Sequence, residues 1–217
     1  ILDIVAYPIQ EYVAELIPND SESQKYQNHL KIGGAKVVAD GSPQAKTAWL
    51  TQPYYKKPSY AEEGHSGYPL YTDEQMEQFC KTAMEHNWQM LVHCNGDAMG
   101  DQFIRAYRKA TESSGNQKDL RPVMIHAQLV RKEELERMPA LDMIPSFFVA
   151  HTWYWGDIHI QNFGKQRADK ISPAHTAKEL HLPYTFHNDS PVIPPNMFKT
   201  LWCAVNRKTK SGQQLSL

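Results

Sequence analysis

Short apolar runs alternate with charged or amphipathic stretches along this chain, and one apolar run after another ends on an imidazole or a carboxylate. IGGAKVVADGS, WQMLVHCNGD, RPVMIHAQ, LDMIPSFFVAH and HLPYTFHNDS read as five strands, starting near Ala35, Met90, Val123, Met143 and Tyr184. Helical patterns lie between them. Thr72 and Asp73 precede EQMEQFCKTAMEHN, Phe103, Ile104 and Tyr107 recur at helical spacing within residues 100–110, RKEELERM is short and charged, and SPAHTAKEL reads as a capped helix. Strands that alternate with helices build a parallel sheet, because a parallel neighbour can be reached only by a long crossover. A (β/α)8 barrel needs about eight strands. Five, with a further strand near residues 3–5, predict an open sheet or part of a barrel. Residues 10–17 read as another helix, NDSESQKYQNHLK as a helix or a loop, and GNQKD as a turn. No repeat or Gly/Ser linker divides the chain, so one domain is expected.

Composition narrows the function classes. The 217 residues carry 23 basic and 24 acidic side chains, a net charge of −1, which leaves no cationic surplus for a phosphate backbone or an anionic membrane. Nucleic acid and lipid are therefore not expected partners. No apolar run approaches the roughly 20 residues that cross a bilayer, and the acidic opening segment is unlike a secretory signal. Cys80, Cys94 and Cys203 are odd in number and widely spaced, which fits reduced thiols and a cytoplasmic setting.

Asp40, His93, His126, His151 and Asp189 each fall at or just after the carboxyl end of a strand, the edge at which parallel α/β proteins bind ligands. A lone histidine at a strand end also serves as an ordinary hydrogen-bonded core residue. Five such residues on five strands point instead to one site. Imidazoles and a carboxylate are donors that zinc and other divalent metals accept, making His93, His126 and Asp189 candidate ligands. A metal so held activates water and polarises a carbonyl, so hydrolysis is the expected reaction. Lys36 shares a strand face with Val38 and Asp40. Buried there, it loses its charge and can form a carbamate with carbon dioxide; the alternative is that it snorkels to solvent.

Weaker features accompany these. Residues 47–69 hold many tyrosines, prolines and glycines with no period, as a functional loop would. Tyr54, Tyr55, Tyr60, Tyr68 and Tyr71, with Trp153, Tyr154 and Trp155, either line an aromatic substrate pocket or pack on their own scaffold. Asp97 and Asp101 either cap the following helix, the simpler role, or orient His93. Cys94 points away from His93 and belongs in the wall.

KVVADGSPQAKTAWL, LVHCNGDAMGD, IHAQLV, PSFFVAHTWYWGD with FGKQRA behind it, and HNDSPVIPPNMFKTLWCAVNRKT resemble, in order, successive blocks of the amidohydrolase superfamily, family 3 branch. The resemblance implies a TIM-barrel, metal-dependent hydrolase of carbon–nitrogen bonds other than peptide bonds, with a small amide-type substrate. It implies Lys36 as a carbamylated bridging ligand, His93 and His126 as metal ligands, Asp189 as ligand and catalytic base, and His151 and Arg167 as substrate contacts. Zinc is the expected metal. The His-x-His pair of the family's first strand is missing upstream of Lys36, and Ile125 stands where a glutamate is usual. Residues 1–217 accordingly look like the later part of the barrel, without its first strands or the β-sandwich domain. The rival reading is a non-catalytic fragment or binding module with an incomplete metal site. Phosphoester hydrolysis would need cations, for which Arg167 and Arg207 are the candidates. Association into a homo-oligomer is left open.

Overall fold

A computed structural model describes residues 2–16, 25–115 and 119–216. A small parallel pair, β1 (Ile4–Ala6) and β2 (Leu30–Ile32), flanks α1 (Gln10–Leu16) in sequence. The main sheet is built from β3 (Gly34–Val38), β4 (Gln89–Cys94), β5 (Val123–His126), β6 (Ile144–Phe147) and β7 (Thr185–Phe186). Its strands lie side by side in chain order and every pairing is parallel. The crossovers carry α2 (Asp73–Glu85), α3 (Asp97–Ser114) and α4 (Lys132–Arg137), and then α5 (His151–Tyr154), α6 (Gly156–Phe163), α7 (Lys165–Ala168) and α8 (Ala174–Glu179) before the last strand; α9 (Met197–Asn206) follows it. Much of NDSESQKYQNHLK and the centre of GNQKD fall outside the described residues.

The period-two pattern of the strands sorts the two faces of the sheet. Ala35, Val37, Met90, Val92, Met124 and Phe147 are fully buried and share one core with Met76, Cys80 and Ala83 of α2 and Met99, Phe103 and Ile104 of α3. Burying a side chain the size of Phe103 contributes about 1.5–3 kcal/mol, so this face holds the sheet in register. On the opposite face Val38, His93, Ile125, Ser146 and Thr185 stand side by side across the strands, with Lys36 beside Leu91 one step below. That is the polar, inward face of a barrel wall.

Three local expectations need correction. The second long helix begins at Asp97 rather than Gly100, and neither Asp97 nor Asp101 caps it; Gly96 occupies the cap without a side-chain bond. Asp97 instead accepts hydrogen bonds from the backbone N–H and the hydroxyl of Thr51, and Asp101 pairs with Arg105 and Arg137. SPAHTAKEL has no side-chain cap either, since Pro173 occupies that position and Ser172 lies in the left-handed region at φ 49°. Thr72 does form the reciprocal capping bonds with Gln75 that open α2.

Candidate metal centre

His93 enters the site by simple alternation: it follows Leu91 on the inward face of β4, one strand from Val38. His126 does not. It is in register with Cys94, on the helix-covered side, so alternation alone would send its ring away from His93. Its φ of 72°, continued by 44° at Ala127, breaks the pleat and turns the imidazole back. Non-glycine residues held in that region are costly and cluster at functional sites. Asp189 is held the same way, at φ 53°.

The result is a run of ring nitrogens at contact distance. His93 Nδ1 lies 3.0 Å from His126 Nε2, and His126 Nδ1 lies 3.2 Å from His187 Nε2. Ser146 Oγ lies 2.9 Å from His187 Nδ1, and the carbonyl of Gly41 lies 3.2 Å from His93 Nε2. One ligand atom from each of His126, His187 and Asp189 falls within 4.8 Å of the others. Two nitrogens bound to one zinc at about 2.05 Å in tetrahedral geometry sit roughly 3.3 Å apart, so the His93–His126 spacing suits a shared cation. Lys36 faces the same space, since its charge acts on His93, His126, His187 and Asp189.

Electrostatics keep the donors in a ligating form. Burial lowers His93 and His187 to about 4, the nearby Lys36 adding to the effect. Burial, reinforced by its histidine neighbours, takes His126 well below the ordinary range. All three are neutral at pH 7 and offer lone pairs. Burial also pushes Lys36 down, against the attraction of Cys94 and Asp189, and pushes Asp189 up, against the pull of Lys36.

A pH dependence follows for the metal-free protein. An imidazole neutral in the fold but free to protonate when unfolded withdraws stability as pH falls, from the unfolded value of 6.5 through the folded value of about 4 for His93 and His187. His126, His151 and His159 are buried and shifted in the same direction. Asp40 opposes them: its folded value of about 7 lies above 3.8, so its contribution is largest at low pH and is lost as pH rises to about 7. Asp189, raised by burial, acts in the same sense as Asp40, and the five histidines outweigh the two carboxylates. Urea midpoints should rise between about pH 4 and 6.5; a flat or falling profile would contradict the neutral-histidine cluster.

The remaining strand-end residues have other work. Asp40, fully buried, accepts backbone N–H bonds from Trp49 (3.1 Å), Asn95 (3.0 Å) and Gly96 (2.8 Å), with His93 Nε2 at 3.7 Å. It ties the ends of β3 and β4 to the long loop. A Cβ at Gly96 would sit 1.7 Å from the Trp49 carbonyl, so only glycine admits that approach. His151 opens α5, four residues past the end of β6, with its ring 6.1 Å from that of His126 and packed on Phe148 and Trp155. Its Nδ1 is buried without a partner. Arg167 straps the long loop, donating to the carbonyls of Gln52 (3.1 Å), Pro53 (2.6 Å) and Phe163 (3.0 Å). Arg207 is engaged by the carbonyls of Asp169, Ile171, Ser172 and Ser216, which removes it as a phosphate clamp.

The aromatic residues divide between packing on their own scaffold and solvent. Tyr54 is buried against Phe163 and donates to the Ala48 carbonyl, Tyr55, Tyr60 and Tyr68 are exposed, and Trp153 meets Trp202 edge-on. A cavity of about 530 Å³ is lined by Asp97, Arg131, Arg167, Ser172 and Arg207 among others, and by none of the clustered histidines. His187 is the functional candidate that strand-end reasoning missed. Its signal was present in FHND: a second imidazole two residues before Asp189, just past the end of β7.

A cluster of buried imidazoles, a lysine and a carboxylate at the carboxyl edge of a parallel sheet has the make-up of one segment of a TIM-barrel wall. The chain belongs to the amidohydrolase family, in its family 3 branch: the family model matches residues 7–216. It is 29% identical over 189 residues to YtcJ of Bacillus subtilis (strain 168), a protein named provisionally as an amidohydrolase, covering 85% of this chain and 33% of YtcJ. Two crystal structures, each of an uncharacterised metal-dependent hydrolase, are similar. That from Pyrococcus furiosus matches with a TM-score of 0.78 and 26% identity over 94% of this chain and 40% of its own. That from Pyrococcus horikoshii OT3 matches with the same score and identity over 98% and 41%. The chain thus spans about a third of YtcJ and two fifths of these hydrolases. Among the described residues no helix is long and apolar enough to cross a membrane.

Proposed function

We propose that the full-length protein hydrolyses a carbon–nitrogen bond other than a peptide bond in a small amide-type substrate, and that this chain supplies the later-strand half of its metal centre. The observation that carries the reading is the approach of His93 Nδ1 to His126 Nε2 at 3.0 Å, with Lys36 and Asp189 facing the same space. His93 and His126 hold a divalent metal, with zinc the best match to nitrogen and oxygen donors. Burial lowers the proton affinity of Lys36, the direction that favours carbamate formation, in which the neutral form of the amine would bond to the carbon of carbon dioxide, release one proton and become an anionic oxygen ligand. When bound, the metal lowers the pKa of water to about 7 and polarises the substrate carbonyl.

The chain's own groups complete the chemistry. Asp189, whose proton affinity burial has raised, takes the proton of the attacking water and returns it to the departing nitrogen. His151, with its unpartnered buried Nδ1, contacts substrate, and Arg167 fixes the loop that frames it. Residues 1–217 act as one catalytic-domain segment. Three free buried cysteines suit the cytoplasm.

Metal analysis of the full-length protein, paired with turnover of N-acyl, urea and N-formyl substrates, tests this reading. Replacing His126 by alanine should lower the bound metal by about one equivalent and raise the dissociation constant of what remains by at least roughly 10-fold. Unchanged stoichiometry and affinity would leave a non-catalytic module as the better description.

A further inference from the structure

The contacts from Gly41 to Ser146 form a continuous series whose hydrogen positions can be worked out ring by ring. For His93 to offer Nδ1 to a cation, its proton must sit on Nε2, where the Gly41 carbonyl at 3.2 Å accepts it and the Asn95 amide, at 2.9 Å, turns its otherwise unpartnered oxygen rather than its nitrogen to the ring. The Nδ1 lone pair faces His126 Nε2 at 3.0 Å. Two lone pairs at that distance repel unless a cation lies between them. For His126 to share the cation through Nε2, its proton must sit on Nδ1, where His187 Nε2 is 3.2 Å away. His187 then carries its proton on Nδ1 and donates it to Ser146 Oγ at 2.9 Å. Each ring N–H then has an acceptor and no neutral ring carries a second proton. Ile125, the neighbour of His126 in the chain, offers no acceptor that could do this work.

We propose that His187 and Ser146 are positioning residues for the metal centre, holding His126 in the Nδ1–H form that turns its Nε2 lone pair to the cation. The inference rests on the proposed function and deepens it. Ring nitrogens that bind metals are oriented by the partner of the opposite nitrogen, and here that partner is a second histidine steadied by a buried serine. The same contacts also support the reverse order. Without a cation, Ser146 donates to His187 Nδ1, His187 Nε2–H to His126 Nδ1, and His126 Nε2–H to His93 Nδ1. The two arrangements differ by one tautomer shift on each of two rings and a hydroxyl rotation, with no net proton gained or lost by these groups. Metal loading therefore reverses the direction of the relay. The competing role is His187 as a direct ligand with His126 and Asp189, which would replace the positioning contact between the two rings.

The test is zinc titration of the full-length protein against a chromophoric chelator, with metal content at saturation, for His187→Ala, His187→Gln and Ser146→Ala. Long-range ¹⁵N–¹H correlation of the histidine rings in the zinc-loaded wild type is recorded alongside. His187→Ala should keep the full complement of zinc at roughly 10–100-fold weaker affinity. Glutamine, whose carbonyl can accept the His126 proton, should recover most of the loss, and Ser146→Ala should weaken binding only a few-fold. The loaded wild type should show Nδ1–H forms at His126 and His187. Loss of one zinc equivalent in His187→Ala would make His187 a ligand, and unchanged affinity or an Nε2–H His187 in the loaded protein would equally overturn the relay. If His187→Ala does not fold, Ser146→Ala and the ring tautomers decide. Should His126→Ala retain all its metal, the metal-centre reading itself fails; if it loses metal while His187→Ala and Ser146→Ala bind as the wild type does, only the relay fails.

Discussion

Replacing Asp189 by asparagine in the full-length protein is expected to reduce turnover by roughly 10²–10⁴-fold, the range supplied by a positioned general base. The substitution keeps the shape of the side chain and an oxygen near the His126 and His187 nitrogens, so metal content should stay close to that of the wild type. It removes the group that can accept a proton. Burial raises the proton affinity of this carboxyl, which suits a group that takes and returns one proton in each cycle. Turnover measured at saturating substrate and metal, with zinc quantified in the same sample, checks the assignment. Activity equal to wild type would move the proton transfer to another residue, and parallel loss of metal and activity would make Asp189 a ligand first.

The largest effect on stability is expected from Asp40→Ala. The carboxylate is fully buried and accepts three backbone N–H bonds, from Trp49, Asn95 and Gly96. Removing it leaves three buried donors unsatisfied, at about 1–3 kcal/mol each. Relief of the desolvation that raises its proton affinity to about 7 offsets part of that cost. A net loss of about 3–5 kcal/mol follows. Asp40→Asn keeps one acceptor oxygen and should lose less than half as much. Urea denaturation of both variants at pH 7 provides the measurement, and an alanine variant within about 1 kcal/mol of wild type would mean that water or relaxed loop geometry satisfies those N–H groups. Because Asp40 also fixes the turn that follows His93, the alanine variant should bind metal more weakly as well.

Much of this architecture was legible in the sequence because strands declare themselves through short apolar runs and their ends. Ala35, Met90, Val123, Met143 and Tyr184 each mark the start of a strand to within a residue or two. That His93, His126 and Asp189 lie at one edge could be anticipated from position, since in a parallel sheet all carboxyl ends lie there, whereas Lys36 was assigned to the site through the family resemblance. Capping was less legible. Asp97 looks like a cap in isolation, yet Thr51, 46 residues away, claims its carboxylate. Asp40 looks like a fifth member of the site, yet three backbone N–H groups from a loop and a neighbouring strand claim both its oxygens. Arg167 lies in FGKQRA, but the carbonyls it clamps are more than 100 residues upstream. For Asp97 and Asp40 position in the sequence suggested a role and partners distant in the chain claimed the carboxylate; the Gln52 and Pro53 partners of Arg167 lay equally beyond local pattern.

Local pattern therefore determined the order of elements, the parallel sheet and the edge on which the polar residues collect, because hydrophobic periodicity and crossover length act between residues close in the chain. Tertiary structure alone decided how those side chains meet. The left-handed turn at His126 swings its ring across to His93, against strand alternation, and the approach of β7 to β6 sets His187 between that ring and Ser146. Backbone strain of this kind persists only where surrounding packing over-determines it. The contacts that do so join residues 33, 41 and 61 positions apart in the chain, beyond the reach of any local periodicity.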